Sequence, residues 1–140
     1  LQYAIENQQI TTSRHHYLRS LQPTDMESLI DARITDDYTM GYADIAGFRL
    51  GTCRAVRFIN PATRKLTSLT LHPLTIMDCS LSEPHYMNLN YNQALSYAQT
   101  LIEQTKKYNG DLCLLWHNTR FTNDNYHSQL YSQIIKFICL

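Results

Sequence analysis

A surplus of charge is missing from this sequence: twelve lysines and arginines stand against twelve aspartates and glutamates, leaving a formal net charge of zero at pH 7. Nucleic acid and anionic membrane surfaces are held by a basic excess or patch. No apolar run approaches the roughly 20 residues that span a bilayer. Neither nucleic acid nor a membrane is therefore an expected partner. The start, Leu1-Gln2-Tyr3-Ala4-Ile5-Glu6, carries neither an initiator methionine nor a signal-peptide pattern. Residues 1–8 read as the tail of a helix, and the chain as a fragment. Cysteine pairing is missing too. Cys53, Cys79, Cys113 and Cys139 are scattered, with no C-x-x-C spacing. That argues against a disulfide framework or a cysteine zinc site and reads as small buried hydrophobes. There is no internal repeat and no low-complexity segment.

What is present is the composition of a globular domain: 44% apolar and 17% charged residues over 140 positions, enough for one core. Residues 9–14 form a short β-prone run that ends in Arg14-His15-His16-Tyr17. Thr24 and Glu27 have the spacing of a capping box, and Met26, Leu29, Ile30 and Ile34 give the apolar face of a helix starting there. Residues 36–42 and 45–49 are brief extended candidates broken by Gly41 and Gly47. Residues 55–59 and 66–71 flank an Asn60-Pro61 turn signal and predict a hairpin. Residues 74–78 read as a strand that ends on an acid. The clearest helix covers residues 91–109: Ala94, Leu95, Ala98, Leu101, Ile102, Thr105 and Tyr108 share a face. Asn90 is its expected cap and Gly110 its expected left-handed stop. Residues 111–117 are nearly all apolar, as in a strand buried on both faces. Residues 126–140 return to helical spacing.

Strand, helix, strand, helix is the alternation of an α/β fold. Arg14 to Tyr17, Asp78 and His117 each close a predicted strand, and sites in such folds are built at the carboxyl ends of strands. Histidine is the side chain best suited to proton transfer near neutral pH, which makes His117 a candidate acid or base. Asp78 could orient an imidazole or stay ionised near a metal. Arg14 offers a fixed cation. Of the adjacent histidines, which point to opposite sides of an extended chain, His16 is the better placed to face a pocket. Arg49 lies between Gly47 and Gly51; without a following helix this is no phosphate loop, and Arg49 stands as a candidate substrate contact, beside Tyr17 and Trp116. His72, His85 and His127 lack zinc spacing and read as surface residues. Asp36-Asp37 opens a strand and reads as structural.

Taken together these residues resemble a known family. Leu114-Leu115-Trp116-His117 resembles the L-x-I-H motif near the carboxyl terminus of polysaccharide deacetylases, the chitooligosaccharide-deacetylase-like enzymes. Arg14-His15-His16-Tyr17 resembles their R-x-P-Y motif, with His16 where proline is usual. Residues 13–19, 37–42, 47–53 and Met77-Asp78 are similar to a divergent bacterial branch, and the resemblance runs from about Ile10 to Asn118. It implies the C-terminal part of a distorted (β/α) barrel, one partial domain over residues 1–140 with the remainder of the same barrel upstream. It also implies a divalent metal, usually zinc, and a carbohydrate substrate; the sequence names no compartment, and the leaning is to a bacterial cytoplasmic location. The reaction would be hydrolysis of an N- or O-acetyl group, with an ion polarising the carbonyl and activating water. His117 would be the general acid, Arg14 would hold a catalytic aspartate, and Asp78 would tune His117. The family's acidic pair and its histidine-bearing metal segment have no counterpart here and would lie upstream of Leu1. His16 would replace a lost ligand, and the isolated chain is expected to be inactive. A half-barrel would also leave a sheet edge unpaired. The alternative is a non-catalytic carbohydrate-binding or scaffold domain. An unrelated α/β hydrolase fragment is the weaker third reading, because no nucleophile elbow is present.

Overall fold

A computed structural model of the chain describes residues 9–121 and 126–139; the expected helix tail at residues 1–8 falls outside them. The first elements are short. β1 (Thr12–Ser13) leads into a 3-10 turn over His16–Leu18, then α1 (Thr24–Asp31) and β2 (Asp36–Asp37). The capping box expected at Thr24 does not form. The helix starts one residue earlier, from Pro23, with no side-chain cap, and Glu27 instead accepts a hydrogen bond from Asn60 Nδ2.

The predicted hairpin is present. β3 (Val56–Asn60) pairs antiparallel with β4 (Lys65–Leu71), with a register irregularity between Arg57 and Ile59. Asn60 Oδ1 accepts from the backbone N–H groups of Ala62 and Thr63 at 2.8 and 3.1 Å, the local bond by which asparagine favours a turn. β1, β2 and β4 run parallel, giving the order β1-β2-β4-β3. β5 (Ile76–Met77) passes directly into α2 (Asp78–Ser82), and β6 (Leu114–Leu115) pairs parallel with β5 in a separate two-stranded ladder.

α3 (Tyr91–Lys107) matches its sequence signal closely. Asn90 Oδ1 accepts from Gln93 N–H and Gln93 Oε1 from Asn90 N–H, each at 3.0 Å, which is a reciprocal capping box. The stop differs from expectation: Asn109 takes the left-handed conformation, with φ 49°. Gly110 is needed for another reason, because a Cβ there would fall inside the Cys53 side chain. Ala94, Ala98, Leu101 and Ile102 pack with Ile76, Leu81 and, from α4 (Tyr126–Ile138), Leu130 and Ile134. Leu130→Ala or Ile134→Ala, each removing a fully buried side chain, would cost about 2–5 kcal/mol. A second core, with Met26, Phe58 and Leu69, lies against the four-stranded sheet. Between them Leu18, Leu74 and Met77 form a small third cluster.

The expected barrel is overturned. The sheet is open and neither closed nor strongly curled. Closure requires every strand to be paired on both sides, yet β1 and β3 are edges, and β5 and β6 form their own ladder. The antiparallel β3 also breaks the run of parallel strands. Likewise residues 111–117 yield a two-residue strand whose side chains are half-buried, not one buried on both faces. Leu112, Leu114 and Trp116 pack against the core of α3 and α4, while Cys113 and Leu115 pack against the Leu18, Leu74 and Met77 cluster.

Candidate functional site

Two of the predicted strand ends meet. β5 and β6 are neighbours with Met77 opposite Leu115, so the residues that follow, Asp78 and the Trp116-His117 pair, emerge at one end of the ladder. Asp78 opens α2 and is fully buried. Its Oδ1 lies 2.7 Å from His117 Nδ1, and its Oδ2 accepts the His117 backbone N–H at 3.1 Å. Arg120 Nε stands 3.6 Å from Oδ2. A carboxylate accepts and does not donate, so the Nδ1 proton belongs to this bond and Nε2 is left as the free ring nitrogen. The His117 side chain is 41% exposed and lines a cavity of about 350 Å³, within the size range of small-molecule sites.

Cys79, the next residue, joins the pair. Its Sγ lies 3.6 Å from His117 Nδ1 and 3.5 Å from Arg120 Nη2. Arg120 also donates through Nη2 to Glu83 Oε1. Burial is the largest influence on the Cys79 thiol and pushes it above its ordinary value, against the opposing hydrogen bond from Arg120. One donor atom from each of Asp78, Cys79 and His117 lies within 4.8 Å of the others, a set able to bind a metal ion. Three protein donors with an open position is the pattern of a reactive metal site. An ion bound at Nδ1 would have to displace the 2.7 Å bond to Asp78, take up the thiol as thiolate, and sit beside the Arg120 cation. The donor set therefore fits a divalent metal in general and does not select zinc.

The remaining predicted residues divide. Arg14, His16 and Tyr17 line the same cavity as His117. The His16 ring packs on Tyr17 at 4.2 Å and lies outside the Asp78–Cys79–His117 cluster. Tyr17 and Leu18 both have positive φ, 61° and 55°, and Tyr17 is 76% exposed. Such backbone costs about 1–3 kcal/mol per residue and concentrates where a side chain must be presented. Leu18, buried in the third core cluster, anchors that turn.

Arg49 and Trp116 lie elsewhere. Arg49 Nη1 donates to the Gly41 carbonyl at 2.9 Å, and the guanidinium stands 5.6 Å from the Tyr42 ring centre. Trp116 packs with Tyr131 at 5.4 Å, and its Nε1 is buried with no hydrogen-bond partner. The glycines beside Arg49 do meet backbone needs, with φ 152° at Gly47 and 69° at Gly51. The cavity that Gly51 borders is a different one, shared with Cys53 and Tyr108.

Sequence reasoning missed Cys79, Glu83, Arg120 and the His85-Tyr86 part of the wall. Helical spacing after Asp78 would have placed Cys79 and Glu83 near it, but a five-residue helix gives too short a pattern to read. Two histidines taken for surface residues are engaged. His72 Nε2 lies 2.7 Å from Asp36 Oδ1. His127 Nε2 lies 2.9 Å from Ser82 Oγ, and burial first, then the Arg120 charge, holds it below the ordinary imidazole value.

Fold and site define an open-sheet α/β protein with a buried aspartate bonded to a part-exposed histidine at the carboxyl end of its parallel two-stranded ladder. No protein-family model matches the chain, and neither does any curated protein or solved structure. The resemblance to polysaccharide deacetylases thus rests on the motif residues, and its barrel is corrected by the open sheet. No helix of the described residues is long and apolar enough to cross a membrane.

Proposed function

We propose that Asp78 and His117 form the general-acid side of a hydrolytic site that removes acetyl groups from a carbohydrate. The observation that carries this is the 2.7 Å bond from His117 Nδ1 to a fully buried carboxylate, with the rest of the ring facing a cavity. Asp78 fixes the ring's orientation through both His117 contacts, and the free Nε2 takes up the proton released as water adds its hydroxyl to the acyl carbon and hands it to the leaving nitrogen or oxygen as the acyl bond breaks. Water supplies the hydroxyl that leaves as acetate. A divalent ion, when bound, contributes polarisation of the acyl carbonyl and a more acidic water. His16, on the cavity wall and free of hydrogen bonds among the described residues, is the ligand this chain offers it. The choice of an acetylated sugar comes from the motif resemblance and from the aromatic rings of Tyr17 and Tyr86 on the cavity wall.

A second use of the same atoms is favoured by the Asp78–Cys79–His117 donor set, which would bind the ion itself. The two uses exclude each other at Nδ1. Acetate release from acetylated oligosaccharides, measured with added zinc and with chelator, beside Asp78→Asn and His117→Ala, tests the first. Cobalt substitution tests the second, because a thiolate ligand gives an intense charge-transfer absorption that Cys79→Ser removes. Acetate release that vanishes in both variants, without that absorption, supports the acid pair. A protein that binds acetylated sugars and releases no acetate under any metal condition overturns hydrolysis and leaves a carbohydrate-binding domain.

A further inference from the structure

The cavity beside His117 is chemically lopsided. Arg14 and Arg19 both line it, and neither forms an ion pair with a carboxylate among the described residues. The acid in its wall, Glu83, is already bound by Arg120. Asp78, next to it, is buried and taken by His117. His16 and His85 add ring N–H donors, and neither carries a carboxylate partner. In a chain whose charges otherwise cancel, twelve against twelve, this wall gathers two unpaired guanidinium groups. They sit on either side of the left-handed Tyr17-Leu18 turn, which holds an exposed phenol between them.

We propose that this cavity takes an anionic saccharide, with Arg14 and Arg19 clamping a carboxylate or phosphate while Tyr17 covers a sugar face. Guanidinium groups match both anions with paired N–H donors, which an ammonium cannot do. A concave wall of one sign also raises the local concentration of the opposite charge. Aromatic rings stack on the apolar faces of pyranose rings. The proposal rests on the reading of His117 as an acid beside this cavity, since it names the substrate class for that site. It gives Arg14 a partner other than the catalytic aspartate that the motif resemblance implies, and no ion pair joins Arg14 to an aspartate among the described residues.

The experiment is calorimetric titration of the whole protein at low salt with three acetylated sugars: a neutral N-acetylglucosamine oligomer, an N-acetylated uronate, and N-acetylglucosamine 6-phosphate. Wild type is expected to bind at least one anionic sugar about tenfold tighter than the neutral one, with the advantage shrinking as salt is raised. The uronate and the phosphosugar identify which anion the clamp prefers. Arg19→Gln should cut the anionic affinity about threefold to tenfold and spare the neutral ligand, and Arg14→Gln/Arg19→Gln should bring the ratio close to one. Both side chains are exposed, so these variants keep their fold, which circular dichroism checks. A wild-type ratio near one, no binding of any of the three, or a ratio unmoved in the double variant would overturn the proposal. Because the readout is binding, an intact ratio together with no acetate release would leave the anion clamp standing and remove the hydrolytic reading alone.

Discussion

Two aspartate–histidine pairs in this molecule close at the same 2.7 Å, Asp78–His117 on the two-stranded ladder and Asp36–His72 on the four-stranded sheet. Distance does not separate them; surroundings do. In the first, the acid is fully buried and the imidazole is 41% exposed into a cavity. In the second, the side chains are 33% and 19% exposed, and the Tyr38 ring covers the imidazole at 4.3 Å, nearly parallel at 9°. Asp36 also accepts from Thr35 Oγ1 at 2.7 Å, and the His72 backbone N–H bonds to Asp37 O at 2.8 Å. That pair pins the end of β4 to its parallel neighbour β2. A buried acid holding an open histidine leaves a ring nitrogen for chemistry, whereas a part-exposed acid holding a covered histidine acts as a fastening.

The largest effect that sharpens this contrast is on turnover. In the full-length protein His117→Gln should lower acetate release at least about 100-fold, the usual contribution of a general acid, while His72→Gln should leave the rate constant within about twofold. Equal losses in the two variants would erase the distinction. Stability comes next. Asp78→Ala removes a fully buried carboxylate that accepts two hydrogen bonds from His117 and should cost about 1–3 kcal/mol in urea unfolding. Asp36→Ala, at a partly exposed pair, should cost about 1 kcal/mol or less.

Acid should then act on the second pair in a defined direction. The hydrogen bond from His72, and after it that from Thr35, holds the Asp36 carboxyl below its ordinary value of 3.8. A depressed folded pKa means that the unfolded chain binds the proton more readily, so the stabilisation is present above 3.8 and lost as pH falls through the lower folded value. The melting-temperature gap between wild type and Asp36→Asn should thus be open at pH 7 and close in strong acid. The smallest effect is on thiol reactivity. With its thiol pushed up by burial, Cys79 should be alkylated by iodoacetamide more slowly than the exposed Cys139 at neutral pH. Mass mapping over time reads the order, and faster labelling of Cys79 would show that its thiolate is stabilised after all.

Local signals were legible where one element could satisfy them alone. Helix α3 could be read with its Asn90 cap because capping and a three-to-four-residue apolar repeat are local, and the Asn60 turn announced the β3–β4 hairpin for the same reason. The left-handed stop was misplaced by one residue, since Asn109 and Gly110 both accept that conformation and only the packing of Cys53 decides between them. His117 and Asp78 were legible as strand-end residues, and the structure does join them. Arg49 and Trp116 were not separable from site residues by sequence, because what distinguishes them is which carbonyl or ring lies nearby.

What the sequence determined by itself is the set of local choices: where helices begin, where turns fall, and which strand ends carry titratable residues. Backbone capping, φ preferences and periodicity act within a few residues and are written in them. Only the tertiary structure decided that the sheet stays open, that β5 and β6 stand apart from β1–β4, and that Cys79 and Arg120 join Asp78 and His117. Those outcomes depend on contacts between residues about 40 positions apart along the chain, where burial and hydrogen-bond partners are set by packing that no short pattern records.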